Sequence, residues 1–248
     1  MIRKLLRELL TGPIGDTALG MGLHVVRRLG RLATSDLHPR RWSNAELRRF
    51  TPYLDGDVVN VSGWRDADRV GGRYRDYFVR CRSYTITNYP GTRGLADGAE
   101  GSIPLDLEAA LPEMMRSAFD VVFCHTVLEH VYDKSTAFMN LADMSRDLLI
   151  LVVPFMQEEH FDQGSYGDYW RYTPMSLGRL TSETGMSLLY MSSNDSPWWP
   201  IYLFAVGSRN PEKWKGILPA SCPRGRRIGF EVFYGKGSGF ASVEGSAE

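Results

Sequence analysis

No apolar run in this chain approaches the roughly 20 residues needed to cross a bilayer, so a membrane-spanning helix is not expected. A net charge is also missing. The 29 basic side chains balance 29 acidic ones, which removes any global pull toward nucleic acid, and no nucleic-acid partner is expected. Cysteine is scarce: Cys81, Cys124 and Cys222 are odd in number, widely spaced and without a CxxC pair. That argues against a disulfide framework or a zinc site and makes a reducing cytoplasm the simplest home. No internal repeat is visible. The first leucines are interrupted by charge and no small-residue cleavage site follows closely, so the start of the chain does not read as a signal peptide.

What is present is material for one core, 43% hydrophobic over 248 residues, near the upper end of a single domain. Ile2, Leu5, Leu6, Leu9 and Leu10 fall at helical spacing, with Arg3, Lys4 and Arg7 on the other face. This predicts a short basic amphipathic helix, packed on the domain or docked on a membrane surface or a partner protein. Residues 1–50 read as a helical N-terminal cap over a sheet, with breaks at Gly12-Pro13 and from Asp36 to Pro39, and with Ser43 and Glu46 spaced as a capping box. Residues 51–234 read as an α/β domain, and residues 235–248, rich in Gly, Ser and Ala, as a disordered tail. The sequence sets no oligomeric state.

Five short apolar or β-branched runs predict strands at 56–62, 83–88, just before Asp106, 119–124 and 148–153. Helices are expected at 132–146 and 174–185, the second opened by Thr173-Pro174 and closed by Gly185. Beyond it, 186–192 and 201–206 are two strands with no room for a helix between them, which requires antiparallel pairing.

The run from Phe119 to Val131, apolar and then His125-Thr126-Val127-Leu128-Glu129-His130, is an apolar strand that ends in a polar cluster and turns toward a helix expected near Thr126. Open α/β sheets place their ligands at such junctions. The run resembles the fourth strand of the class I S-adenosylmethionine-dependent methyltransferases, and the resemblance extends to Asp147–Phe155 and Asp168–Pro174, covering roughly residues 55 to 206. It implies a Rossmann-like methyltransferase fold: a mostly parallel seven-stranded sheet with an antiparallel C-terminal hairpin and helices on both faces. It also implies S-adenosylmethionine as cofactor.

Two of the three family positions that hold the cofactor are altered. Where the family has an acid followed by a Gly-rich turn, this chain reads Asn60-Val61-Ser62-Gly63-Trp64, and the second strand ends at Asn88 instead of an acid. Asp106 matches the acid beside the adenine amine. Asn60, Ser62, Gly63, Asn88, Asp106 and His125 are therefore the expected cofactor-binding residues. Trp64 either fills the pocket or stacks on the ligand. The loop from Arg65 to Asp76 is a solvated surface or an anion-binding loop.

Methyl transfer to a hydroxyl needs a base, and His125 and His160 are the candidates. For His130 a structural role is favoured. His125, Glu129, His160, Asp162 and Asp168 match no zinc spacing, and no metal is expected. The long aromatic segment 154–174 resembles an acceptor-side stretch of sugar-modifying methyltransferases. Gln157, Asp168, Tyr169, Trp170 and Arg171 are the substrate-binding candidates, with loop packing as the alternative for the aromatics. The expected activity is methyl transfer to an oxygen, or a nitrogen, of a small-molecule or carbohydrate acceptor, of the kind met in carbohydrate or secondary-metabolite modification. The altered cofactor positions leave an inactive binding or scaffold protein as the alternative, and a nucleotide- or sugar-modifying enzyme of another kind as a third.

Overall fold

The strands at the centre of the sheet are apolar on both faces, as parallel strands covered by helices must be. In the computed structural model, which describes residues 39–91, 98–194 and 201–222 and the backbone of 225–227, these runs form β1 (Gly56–Val61), β2 (Cys81–Asn88), β3 (Ile103–Pro104), β4 (Phe119–His125) and β5 (Ser145–Pro154). The expected N-terminal amphipathic helix, the tail and the Trp198-Trp199 loop lie outside the described residues.

β6 (Ser187–Asn194) and β7 (Tyr202–Ser208) complete the expected seven strands. The sheet order is β3-β2-β1-β4-β5-β7-β6, parallel through β5, with β7 antiparallel to both β5 and β6. An eighth strand, β8 (Gly225–Arg227), pairs antiparallel along β6 and has no counterpart in the sequence reading.

Alternation along the strands divides the core in two. Val59, Val61, Val122, Cys124, Leu149 and Leu151 face α2 (Lys134–Met144) and α3 (Pro174–Glu183). The opposite face, with Val58, Phe123, Ile150 and Phe204, is covered by Trp42, Leu47 and Phe50 of α1 (Pro39–Phe50) and by Trp214 at the end of α4 (Pro211–Trp214). α3 starts as expected, with a Thr173–Ser176 capping box and Pro174 in its first turn. The capping box expected at Ser43 and Glu46 does not form, because α1 already begins at Pro39. Ser43 and Glu46 lie inside the helix, and Glu46 instead accepts from the Tyr190 hydroxyl at 2.6 Å. None of the helices among the described residues is long and apolar enough to cross a membrane.

At the amino ends of the strands, Gly56 (φ 84°) leaves space that a Cβ would take from the Asp120 carboxylate. Arg146 donates to Asp57 at 2.8 Å and to both oxygens of Asp120 at 2.9 Å, and Arg82 also pairs with Asp57. A cavity of about 440 Å³ opens here beside Arg80, Arg82 and Lys213, at the end of the sheet opposite its carboxyl edge. Hydrogen bonds from Arg82, Ser83 and Arg146 hold the Asp57 carboxyl well below the usual range, and those from Arg146 lower Asp120. Both folded pKa values lie below the unfolded value of about 3.9. Their stabilisation is therefore complete above about pH 4 and is lost as pH falls through the folded values. Asp57→Asn/Asp120→Asn is expected to cost about 0.2–1 kcal/mol per pair at neutral pH, these carboxylates being partly solvated. Its thermal midpoint should converge with that of the parent as pH drops below about 4, and a gap that widens in acid would contradict the assignment.

Candidate functional site

At the carboxyl edge the chain leaves β1 through a tight turn in which Ser62 and Trp64 have φ of 52° and 48°. Gly63 sits so close to Asn60 that a Cβ would come within 2.5 Å of its amide nitrogen. The backbone N–H groups of the turn point at β2: Ser62 donates to Thr87 Oγ1 at 3.2 Å, Gly63 to the Thr87 carbonyl at 3.1 Å and Trp64 to Asn88 Oδ1 at 2.7 Å. Asn88 Nδ2 returns a bond to the Trp64 carbonyl at 3.2 Å. An acid could accept from Trp64 but could not donate back, so an amide suits this two-way clamp better than the family's carboxylate.

Asn60 and Asn88 are expected to bind the cofactor, and the structure engages both in the turn. Asn88 is buried against Trp64, and Asn60 is buried with Nδ2 donating to Asp66 at 2.8 Å. Ser62, Gly63 and Asp106 stay half-buried along the edge. Asp106 accepts from Glu108 N through Oδ1 at 2.9 Å, and its Oδ2 has no partner among the described residues. The Trp64 indole lies against the guanidinium groups of Arg65 and Arg69, at 4.9 and 5.0 Å.

His125 projects from the end of β4 on the α1 side, among Tyr74, Phe123 and Tyr202. Arg40, on α1, reaches it. Its guanidinium lies 2.6 Å from His125 Nδ1 and donates to Thr126 Oγ1 at 3.0 Å and to the Tyr74 hydroxyl at 3.1 Å. With Nδ1 accepting from Arg40, Nε2–H donates to Ser43 Oγ at 2.8 Å, and Ser43 donates to the Arg40 carbonyl. Burial, and then the Arg40 charge, hold the His125 pKa well below its ordinary value. A neutral imidazole whose lone pair already accepts from a cation is a poor base, which weighs against the catalytic role expected for His125. Arg40 was missed because its partner lies 85 residues away.

The helix expected to begin near Thr126 is also absent. Thr126 has φ 50°, and a single 3₁₀ turn, Leu128–His130, follows. This brings Glu129 inward, where it is fully buried and neither carboxyl oxygen has a hydrogen-bond partner among the described residues. Burial pushes its pKa up to about 8. His130 donates from Nδ1 to the Gly167 carbonyl at 2.6 Å, and its Nε2 lies 3.8 Å from Glu129 Oε1. The segment after β5 folds back so that His160 stacks edge-on against His130, ring centroids 4.9 Å apart.

Most of the expected acceptor-binding residues in that segment hold the loop together. Asp168 accepts from the His160 backbone N–H at 2.6 Å and faces His160 Nδ1 at 3.2 Å, with Gln157 Nε2 3.4 Å from the same nitrogen. Arg171 donates to both Asp168 oxygens at 2.6 and 2.7 Å and to the Gln157 and Glu158 carbonyls. Burial alone would raise the Asp168 pKa, but the bonds from Arg171 and the His160 N–H hold it at about 2. Trp170 donates to the Val131 and Tyr132 carbonyls beneath Lys134, and Tyr172 is buried. Tyr169 is 50% exposed and, with Tyr132, offers an open aromatic pair with ring centroids 5.4 Å apart.

No protein-family model and no curated protein matches the chain. Solved structures do match. The 1,6-didemethyltoxoflavin-N1-methyltransferase of Burkholderia thailandensis, solved with 1,6-didemethyltoxoflavin and S-adenosylhomocysteine, is 15% identical with a TM-score of 0.50, the match covering 80% of this chain and 90% of that one. A chain from the Haloferax volcanii complex of a methyltransferase activator and a methyltransferase is 12% identical with a TM-score of 0.52, covering 73% of this chain and 94% of that one. At such identities the shared feature is the fold.

Proposed function

We propose that this chain, which has the class I methyltransferase fold, transfers a methyl group from S-adenosylmethionine to an oxygen or nitrogen of a small-molecule or carbohydrate acceptor. The observation that carries the reading is the seven-strand order with an antiparallel β7, whose carboxyl edge sets the Gly63 turn, Asp106 and the β4 and β5 loops side by side. The fold alone does not fix a reaction. The fit to the cofactor is carried by the open Oδ2 of Asp106, an acceptor for an adenine amine, and by the half-buried turn at Ser62 and Gly63. At the ribose end a diol would have to exchange with Trp64 for the Asn88 amide.

S-adenosylmethionine, when bound, supplies an electrophilic methyl. The residues of the chain bind, orient and move a proton. The Tyr132–Tyr169 pair can stack on an acceptor ring or sugar face, and Gln157 lies beside His160 on the same loop. With His125 held by Arg40, proton removal falls to the group formed by Glu129, His130 and His160, where Asp168 orients the His160 ring.

Calorimetric titration with S-adenosylhomocysteine tests the cofactor assignment. Micromolar binding is expected, weakened about tenfold or more in Asp106→Ala by loss of a charge-assisted hydrogen bond. Absence of binding at millimolar ligand would overturn it.

A further inference from the structure

We infer that Glu129, His130 and His160 form a binding site for a divalent transition-metal cation of the zinc type. One ligand atom from each of the three side chains lies within 4.8 Å of the other two. Donors around a tetrahedral ion with bonds of about 2.0–2.1 Å stand roughly 3.4 Å apart, so modest side-chain rotation closes the site. Two imidazoles and one carboxylate are the donor set of three-ligand sites that keep a coordination position open.

Proximity alone would be weak, and two further observations carry the argument. The first is the Glu129 carboxyl itself, which is buried, has no hydrogen-bond partner on either oxygen among the described residues and lies 3.8 Å from His130 Nε2. Burying a carboxyl without a partner is unfavourable, and a cation on those oxygens offsets the penalty. The second is the arrangement behind the rings. Histidines that ligate a metal through one nitrogen characteristically donate the other N–H to a carbonyl or carboxylate. His130 Nδ1 does so to the Gly167 carbonyl, and His160 Nδ1 faces Asp168, which Arg171 fixes from the far side. His130 Nε2 is thereby left for ligand duty, on the side that faces Glu129. The His160 side chain is 38% exposed, so the site opens to solvent on that side.

The site lies between the loops after β4 and β5, on the side assigned above to the acceptor. On the methyl-transfer reading, a cation held here would take over the part given above to the three free side chains. It would lower the pKa of an acceptor hydroxyl at the open position, whose proton would pass to solvent on the exposed His160 side. Metal binding itself does not depend on that reading.

The test is titration of the metal-free full-length protein with Co²⁺ and Zn²⁺, followed by metal analysis and the visible absorption of the cobalt form. One equivalent is expected, with cobalt absorption characteristic of a low-coordinate nitrogen–oxygen site. Affinity should fall about tenfold or more in Glu129→Gln and in His160→Asn. His160 lies on a partly exposed loop, so this second variant decides the question if Glu129→Gln fails to fold. No saturable binding at about 1 mM Zn²⁺, or affinity unchanged in the folded variants, overturns the inference. Titration of the same protein with S-adenosylhomocysteine keeps the two ideas apart. Metal binding without cofactor binding leaves the site standing and removes the methyl-transfer reading, and the reverse result removes only the site.

Discussion

Phe50→Ala is expected to lower the free energy of unfolding by about 3–5 kcal/mol, the range for deleting a buried phenyl ring from a core that cannot collapse around the gap. The ring is fully buried and meets Tyr190 and Phe204 at centroid distances of 4.8 and 5.3 Å. It is the last residue of α1 and fixes that helix on the sheet. Urea unfolding should show a lower midpoint with an unchanged slope. A loss below about 1 kcal/mol would mean that α1 is not seated as described. The variant also tests the site, because α1 carries Arg40. Loosening the helix withdraws the cation from His125, whose imidazole should then titrate closer to its ordinary value in an NMR pH series.

The second large effect is expected at Asp66, which lies in the charged loop after β1 and is 4% exposed. Its Oδ1 accepts from Asn60 Nδ2 at 2.8 Å and from the Tyr84 hydroxyl at 2.7 Å, and its Oδ2 from Arg75 N at 2.9 Å. Asp66→Ala strands three donors, each costing about 1–3 kcal/mol when left buried without a partner, so a loss of about 3 kcal/mol or more is expected. Asp66→Asn should cost less, since it keeps an oxygen for Asn60 and Tyr84 and misplaces only the group facing Arg75. Equal stability of the two variants would show that the carboxylate does not organise this turn.

Much of the fold is legible in the sequence because β1, β4 and β5 are long, β-branched or leucine-rich, and separated by clear turn formers. The antiparallel end was legible from the lack of room for a helix between β6 and β7. β3, two residues long, and β8, three residues long, carry too little pattern to be read with definite bounds. The helix expected at Thr126 failed for a local reason that composition does not show: the backbone enters the left-handed region there and breaks the helical run.

The site was legible as a location more than as a set of roles. Gly63, Asp106 and the β4 loop were found where open α/β sheets put ligands. Asn88 reads from sequence as a weakened ribose acceptor because nothing local reveals that its partner is the Trp64 backbone 24 residues earlier. His130 and His160 stand 30 residues apart, so no spacing rule joins them. Only the fold-back of the loop after β5, pinned by Asp168 and Arg171, brings them together. The cost of leaving Glu129 unpartnered is likewise invisible until its burial is known.

The bond between Glu46 and Tyr190 spans 144 residues, and it has a consequence for the order in which the molecule assembles. α1 precedes the whole sheet in the chain, yet its docking surface includes β6 and β7, near the other end. During synthesis this helix must wait, unsatisfied, until those strands have been made and paired. Arg40 can therefore reach His125 only in one of the last steps of folding, and the carboxyl edge is completed by joining an early segment of the chain to a late one.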